Sequence, residues 1–284
     1  MFYIILLLLL LLLIIYILYC YYYLKYIKYY ENVKKIEILD NKFLDFKIPY
    51  IVNNFLNNFP KWNISFFKKN YGNNLVSIVK SNSIECYHSD LKLINMKLND
   101  FIKKFIENKE KDYESYYYKL EEYYGLKDNY NQIEIINKYF ENIVEKTFNT
   151  YRAFWLGPKN SITTFHYDID HVNLLCILEG KKRILLISPE YNKILYKNYI
   201  IKNNWWIENL NIRNENEINN LKKKVKVFDI VVNSGQILNI PRMWWHAVIN
   251  LDDTLAFTYQ YQTLQSVLFI PGYYLFYKFY QFYQ

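Results

Sequence analysis

A mainly β domain with flanking helices, standing behind one membrane-spanning helix, is the architecture this 284-residue sequence predicts. Three observations carry that expectation. Residues 2–19 contain no charged side chain and include an unbroken leucine run from Leu6 to Leu13. Residues 48–150 hold apolar side chains at helical spacing. After Tyr151, short apolar runs alternate with turn sequences, the pattern of a β-sandwich or barrel.

The apolar N-terminus is long enough to cross a hydrocarbon core as a helix, which takes roughly 20 residues. A cleaved signal peptide would carry a basic start and small residues at its cleavage point. Here Met1-Phe2-Tyr3 has no charged side chain and Tyr19-Cys20-Tyr21-Tyr22 is bulky, so an uncleaved anchor through residues 2–19 is expected. Its terminal tyrosines suit a membrane interface. Lys25, Lys28, Lys34 and Lys35 follow the span, and the positive-inside rule then keeps the rest of the chain in the cytoplasm. Residues 1–22 are therefore read as the anchor and 23–47 as a charged, tyrosine-rich linker.

Residues 48–150 form the next segment. Ile64 to Gly72 is expected as a short helix ended by the turn KNYGNN, and LVSIV (75–79) as a strand. Leu98, Phe101, Ile102, Phe105 and Ile106 define a helix over 98–107 with Asn99 or a neighbour as its cap, and a further helix is expected near 131–148. Strands follow at 151–156, 163–168, 172–178, 183–188, 225–232, 236–240, 245–249 and 255–261, separated by turns such as GPKN, EGKK and NSG. Residues 190–224 read as a long, irregular, polar insertion apart from Trp205 and Trp206.

Composition narrows the functional classes. Lys and Arg exceed Asp and Glu by 35 to 27, but the lysines are scattered and form no basic stripe, so no specific nucleic-acid partner is implied. Cys20, Cys86 and Cys176 lie far apart and make no disulfide framework. The enrichment in Tyr, Asn, Ile and Lys fits codon bias in an AT-rich genome.

The chemistry lies in TTFHYDIDHVN (163–173). On a strand, side chains two apart face one side, so His166 and Asp168 can share one ion. Two ligands do not complete a site. His246, in NIPRMWWHAVIN, stands on a second β segment and is the candidate third ligand, although one histidine in an apolar run is more often a packing residue.

FWLGPKNSITTFHYD, NLLCILEGKKRILLISP and VVNSGQILNIPRMWWHAVIN closely resemble the small Jumonji-C (JmjC), cupin-like oxygenases, a family that includes the asparaginyl hydroxylase of hypoxia-inducible factor. IPYIVNNFLNNFPKWNISFFKKNYGNNLVSI (48–78) is similar to that family's N-terminal segment, so the likeness covers roughly residues 45–262. It implies a double-stranded β-helix (jelly-roll) core over 151–262, with 48–150 as its N-terminal helical and strand segment. It also implies one Fe(II) held by His166, Asp168 and His246, with 2-oxoglutarate and dioxygen at the open positions. Zinc could use the same three groups. For 2-oxoglutarate the resemblance implies Lys182 as the cation for the far carboxylate and Thr163 as a hydroxyl donor. Asn173 and Gln260 are implied nearer the metal, and Tyr117 as a further donor out of Tyr116, Tyr117 and Tyr118. One departure is Gly235-Gln236, where the family has Gly-Asp.

The resulting expectation is a membrane-anchored Fe(II)- and 2-oxoglutarate-dependent dioxygenase that hydroxylates a protein side chain. A lysine demethylase, a catalytically silent cupin-like binding module and a zinc hydrolase are the alternatives; the zinc hydrolase leaves Lys182 unexplained. The aromatic C-terminus, 263–284, is expected as a helix that pairs two copies into a homodimer, as in small JmjC hydroxylases.

Overall fold

The computed structural model describes residues 2–25, 33–36, 48–80, 93–109, 116–121, 137–140, 149–169, 172–202, 205–262 and five positions between 264 and 272. Helix α1 runs from Phe2 to Lys25, three residues past the expected anchor. Its Tyr3–Cys20 stretch has a mean hydropathy of 3.1, and its side chains from Tyr3 to Ile15 are exposed. Within the segment read as a linker, Lys34–Ile36 forms strand β1 and pairs in parallel with β2 (Tyr50–Val52).

Among the described residues, two sheets make the core. The larger has nine strands, including β3 (Leu75–Lys80), β4 (Leu93–Lys97), β5 (Tyr116–Glu121), β6 (Asn149–Gly157), β8 (Val172–Glu179), β13 (Ile237–Ile240) and β15 (Thr254–Gln262), in the order β1-β2-β13-β8-β15-β6-β5-β3-β4. The smaller has six, β7 (Ile162–His166), β9 (Lys181–Ile187), β10 (Ile201–Lys202), β11 (Trp206–Ile207), β12 (Val227–Asn233) and β14 (Trp245–Asn250), in the order β10-β11-β7-β14-β9-β12. Apart from β1 with β2, neighbouring strands are antiparallel. This is a jelly-roll, as the resemblance implies.

The central strands β8 and β9 read as nearly continuous apolar runs because both of their faces are covered. Leu175 and Ile177 meet Ile184, Leu186, Leu238, Trp244 and Ala256 between the sheets. Leu174, Cys176 and Leu178 point the other way, onto Phe67 of α2 (Ile64–Tyr71) and Phe101 of α3 (Leu98–Phe101). On the outer face of the smaller sheet, Leu185, Ile187, Trp245 and Ala247 pack with Leu195 of α4 (Asn192–Asn198) and Leu221 of α5 (Glu215–Lys224).

Several sequence expectations need correction. The 190–224 segment is not irregular: it contains α4, the β10–β11 hairpin and α5. Its apolar residues Leu195, Ile207, Leu210, Ile218 and Leu221 are too widely spaced among polar ones to stand out by eye, yet each is buried. The 98–107 helix continues past Phe101 as a π-helix over Ile102–Glu107. Its N-cap is Lys97 with no side-chain bond, so Asn99 does not cap it. Of the 131–148 helix only 137–140 lies within the described residues, and most of 263–284 lies outside them. His88, His171 and Cys86 also lie outside.

Two turns bear on the site. Gly180, joining β8 to β9, has φ +78°, and a Cβ there would stand 2.3 Å from the Asp253 carbonyl oxygen. Gly180→Ala should therefore lower stability by about 1–3 kcal/mol, read as a reduced urea midpoint. At the Gly235-Gln236 departure, the Gln236 side chain closes the turn itself. Its Oε1 accepts the Asn233 amide at 2.8 Å and its Nε2 donates to Asn53 Oδ1 at 2.7 Å.

Candidate metal centre

His166, Asp168 and His246 converge. Their ligand atoms all lie within 4.8 Å of one another, and the two imidazole centroids are 4.1 Å apart. An ion bonded at about 2.0–2.2 Å holds its ligand atoms ~3–4 Å apart, so the constellation needs to close by about an ångström at most. His246 and His166 are cross-strand partners on β14 and β7. Asp168 does not sit on the strand as expected: β7 ends at His166, and Asp168 lies two residues beyond. Asp168 still reaches the same side as the two histidines, with Tyr167 between them buried against Trp245. The Tyr167 amide donates to the Trp205 carbonyl, and the Asp168 carbonyl accepts from the Met243 amide at 2.8 Å.

The donor set fits a metal. His166 Nδ1 lies 2.9 Å from the Thr164 carbonyl and His246 Nδ1 lies 3.0 Å from the Trp244 carbonyl. A carbonyl only accepts, so each ring carries a proton on Nδ1, which makes Nε2 the nitrogen that can ligate. This backbone bond also fixes each ring's orientation. Asp168 Oδ2 is buried without a hydrogen-bond partner and sits 3.9 Å from His246 Nε2. A buried carboxylate oxygen left in this state is costly unless a cation completes it.

Trp206 was missed as a site residue. Its β11 backbone pairs with His166, and its indole lies over the His166 ring at 4.9 Å between centroids and 32° between planes. The Trp-Trp pair was the one signal in the sequence, but nothing in it indicated that the hairpin folds back onto β7.

Thr163 and His166 are three apart, so simple alternation would put them on opposite faces. A bulge resolves this: His246 pairs with His166 but Val248 pairs with Thr163, so β7 carries one more residue than β14 there. Thr163 thereby lines the same pocket as Lys182, Val248 and Asn250. Lys182 shares its face with Ile184 and Leu186 and is only 6% exposed, whereas Lys181 points out and pairs with Asp252 at 3.5 Å. The Lys182 ammonium donates to Asn250 Oδ1 at 2.7 Å, and among the described residues no carboxylate pairs with it. Burial pushes its pKa down to about 7.

Asn173 and Gln260 are cross-strand neighbours on β8 and β15 and share the inward face with Leu175 and Ala256. Asn173 is buried and its Oδ1 has no hydrogen-bond partner. Tyr117 lies on β5 opposite Val79, and its side chain is outside the described residues.

A jelly-roll that carries a His-Asp-His cluster and a buried lysine on one inward face has a counterpart among known families. The model of the cupin-like domain matches residues 37–266. The chain belongs to the cupin-like domain family. Several proteins it is similar to are named as JmjC domain-containing proteins. The chain is 34% identical over 103 residues to JmjC domain-containing protein D of Dictyostelium discoideum, covering 36% of this chain and 23% of that protein. It is 28% identical over 115 residues to lysine-specific demethylase JMJ31 of Arabidopsis thaliana, covering 39% of this chain and 20% of the relative. It is 23% identical over 227 residues to arginine-specific demethylase JMJ20 of the same plant, covering 70% of this chain and 46% of the relative. In each case the match spans less than half of the relative's length.

Proposed function

We propose that this cupin-like protein is a membrane-anchored Fe(II)- and 2-oxoglutarate-dependent dioxygenase that hydroxylates a protein side chain. The observation that carries the reading is the pairing of two features on one inward face: a three-ligand cluster with an unsatisfied carboxylate oxygen, and a buried lysine with no counter-ion among the described residues. A zinc hydrolase uses the first and has no need of the second. When bound, Fe(II) with 2-oxoglutarate couples dioxygen reduction to oxidative decarboxylation of the co-substrate, giving succinate, CO2 and one oxygen atom inserted into a substrate C–H bond. His166, Asp168 and His246 would hold the metal and leave three positions open. Lys182 would neutralise the far carboxylate of 2-oxoglutarate, with Thr163 donating a hydroxyl hydrogen bond beside it. Asn173 and Gln260 would present amides on the same inward face.

Anaerobic titration of the full-length protein in detergent with Fe(II) and 2-oxoglutarate, followed by succinate release on admitting air, tests this reading. Absence of succinate with both ligands bound would leave a binding module. A demethylase is a second reading, because two matched relatives are named as demethylases. Hydroxylation of an N-methyl group ends in release of formaldehyde, so a formaldehyde assay with methylated lysine and arginine peptides separates the two outcomes.

The apolar α1 supports the anchor, and the lysines after it support a cytoplasmic domain. Asn63-Ile64-Ser65 is a ready reporter of orientation, since Asn63 is exposed and its side-chain Oδ1 accepts the Phe66 amide at 2.7 Å as the cap of α2. Expression in a eukaryotic cell should give protein in the membrane fraction with no glycosidase-sensitive mass shift. A shift that Asn63→Gln abolishes would put the domain in the lumen.

A further inference from the structure

Asn250 is the residue around which the inner end of the pocket is organised. It is 4% exposed and ends β14, four residues after His246 and on the same inward side. Its backbone is tied to the turn after β6: its amide donates to the Ser161 carbonyl at 2.9 Å, and its carbonyl accepts from the Asn160 amide at 2.9 Å. Its side chain faces two different environments. Nδ2 approaches acceptors, namely Ser161 Oγ at 2.5 Å, the Gly157 carbonyl at 3.2 Å and the Pro158 carbonyl at 3.3 Å. Oδ1 faces the Lys182 ammonium, which can only donate. Both sides therefore demand the same amide orientation, and the hydrogen bonds run in one direction. Lys182 donates to Asn250, Asn250 donates to Ser161, and the Ser161 hydroxyl donates to the Pro158 carbonyl at 2.8 Å.

We propose that Asn250 is the positioning residue of the co-substrate pocket: its uncharged amide fixes the Lys182 ammonium in place without neutralising it. The inference rests on the reading of Lys182 as the anchor for 2-oxoglutarate. A lysine has four rotatable side-chain bonds, and holding it in one geometry before the ligand arrives removes an ordering cost from binding. A carboxylate at position 250 would hold the ammonium equally well. It would also cancel the positive charge and repel the incoming carboxylate, so an amide is the side chain that positions and leaves the charge available. An ammonium has three donors, and the one given to Asn250 leaves the others for the ligand.

The test compares Asn250→Asp, Asn250→Ala, Ser161→Ala and Lys182→Ala in the full-length protein, with 2-oxoglutarate varied at saturating Fe(II). Asn250→Asp is close to isosteric and should raise the KM for 2-oxoglutarate by about 30-fold or more, because it adds a like charge beside the bound carboxylate. Asn250→Ala should raise it less, by about 5–10-fold, because the ammonium keeps its charge and loses only its ordering before the ligand binds. In both, kcat should stay within about twofold and Fe(II) affinity should not move, a split that general damage to the fold would not produce. Ser161→Ala, the mildest change, covers the case in which neither Asn250 variant folds; it should raise KM about threefold by releasing the amide. A KM within twofold of wild type in Asn250→Asp overturns the proposal, as does parallel loss of kcat and iron binding. If Asn250→Asp cannot be made, an unchanged KM in Ser161→Ala overturns it. Lys182→Ala separates the two layers. If it raises KM while the position-250 and position-161 variants are silent, only the role of Asn250 fails. If Lys182→Ala is itself silent, the anchor reading fails and takes the Asn250 role with it.

Discussion

Asp168→Ala should abolish 2-oxoglutarate turnover, with succinate release falling by on the order of a thousandfold or more. Even the groups that merely orient metal ligands are worth 10–100-fold, and this change removes a ligand itself. The protein should nevertheless remain folded. Asp168 lies beyond the end of β7, its side-chain Oδ2 makes no hydrogen bond, and its link to the turn at Met243 is through its backbone carbonyl, which alanine keeps. Losing a carboxylate whose Oδ2 is buried without a hydrogen bond should leave the thermal midpoint of the metal-free protein unchanged or slightly raised. The decisive pattern is therefore unchanged or improved stability without metal, together with lost Fe(II) binding and lost succinate. His166→Ala should lose turnover as completely, but at a cost in stability, because the Trp206 indole then loses the ring it packs on. Succinate release at the wild-type rate from either variant would remove the triad from the mechanism.

The sequence and the structure agree where one periodicity governs a whole segment. Strands β6, β8, β9, β12, β13, β14 and β15 were each legible as short apolar runs between turns, and the helix at Ile64–Tyr71 was legible from the turn around Gly72 that ends it; its cap, Asn63, was not. His166, Asp168 and His246 could be proposed as one cluster because the family's motifs occur in this chain in the family's order. Strand parity alone could not do it, since the β7–β14 bulge shifts Thr163 onto the inward face and β7 stops before Asp168. Lys182 was singled out by the resemblance alone, since Lys181-Lys182-Arg183 otherwise reads as a solvated charge cluster, and its burial decides between the neighbours. What could not be read was long-range. Trp206 reaches His166 across forty residues of chain only because the β10–β11 hairpin adds to the edge of β7. Asn250 meets Lys182 because β14 and β9 are neighbours, a pairing that depends on closure of the whole jelly-roll. The 190–224 segment failed for a different reason: its few buried apolar side chains are separated by Lys, Asn and Glu on the solvent side, so its helices have low average hydrophobicity while still packing on the smaller sheet.

Lys182→Ala should raise the KM for 2-oxoglutarate by about 10- to 150-fold while leaving Fe(II) affinity and kcat at saturation nearly unchanged, the effect of losing about 1.5–3 kcal/mol from a charge-assisted hydrogen bond. Lys181→Ala should do nothing comparable, because Lys181 is exposed and its partner is Asp252 on the surface. The same lysine should make binding depend on pH. With burial pulling its pKa down to about 7, the ligand-free site holds an ammonium below neutrality and an amine above it. From the elements around it, Val232 of β12, Val248 and Asn250 of β14 and Thr163 of β7 are its neighbours, and none of these titrates. The dianion needs the ammonium, so the sign follows: KM should be flat below about pH 7 and rise by roughly tenfold for each unit above it. Proton uptake should accompany co-substrate binding at pH 8, and disappear at pH 6 where the site is already charged. The fold responds in the opposite sense. An unfolded lysine stays protonated to about pH 10.4 while the folded one does not, so between about pH 7 and 10 this group adds stability to the ligand-free protein as pH rises. Isothermal titration in two buffers of different ionisation enthalpy measures the proton uptake directly. A KM that stays constant from pH 6 to 9 in the wild type, or a rise that persists unchanged in Lys182→Ala, would assign the co-substrate's far carboxylate to another cation.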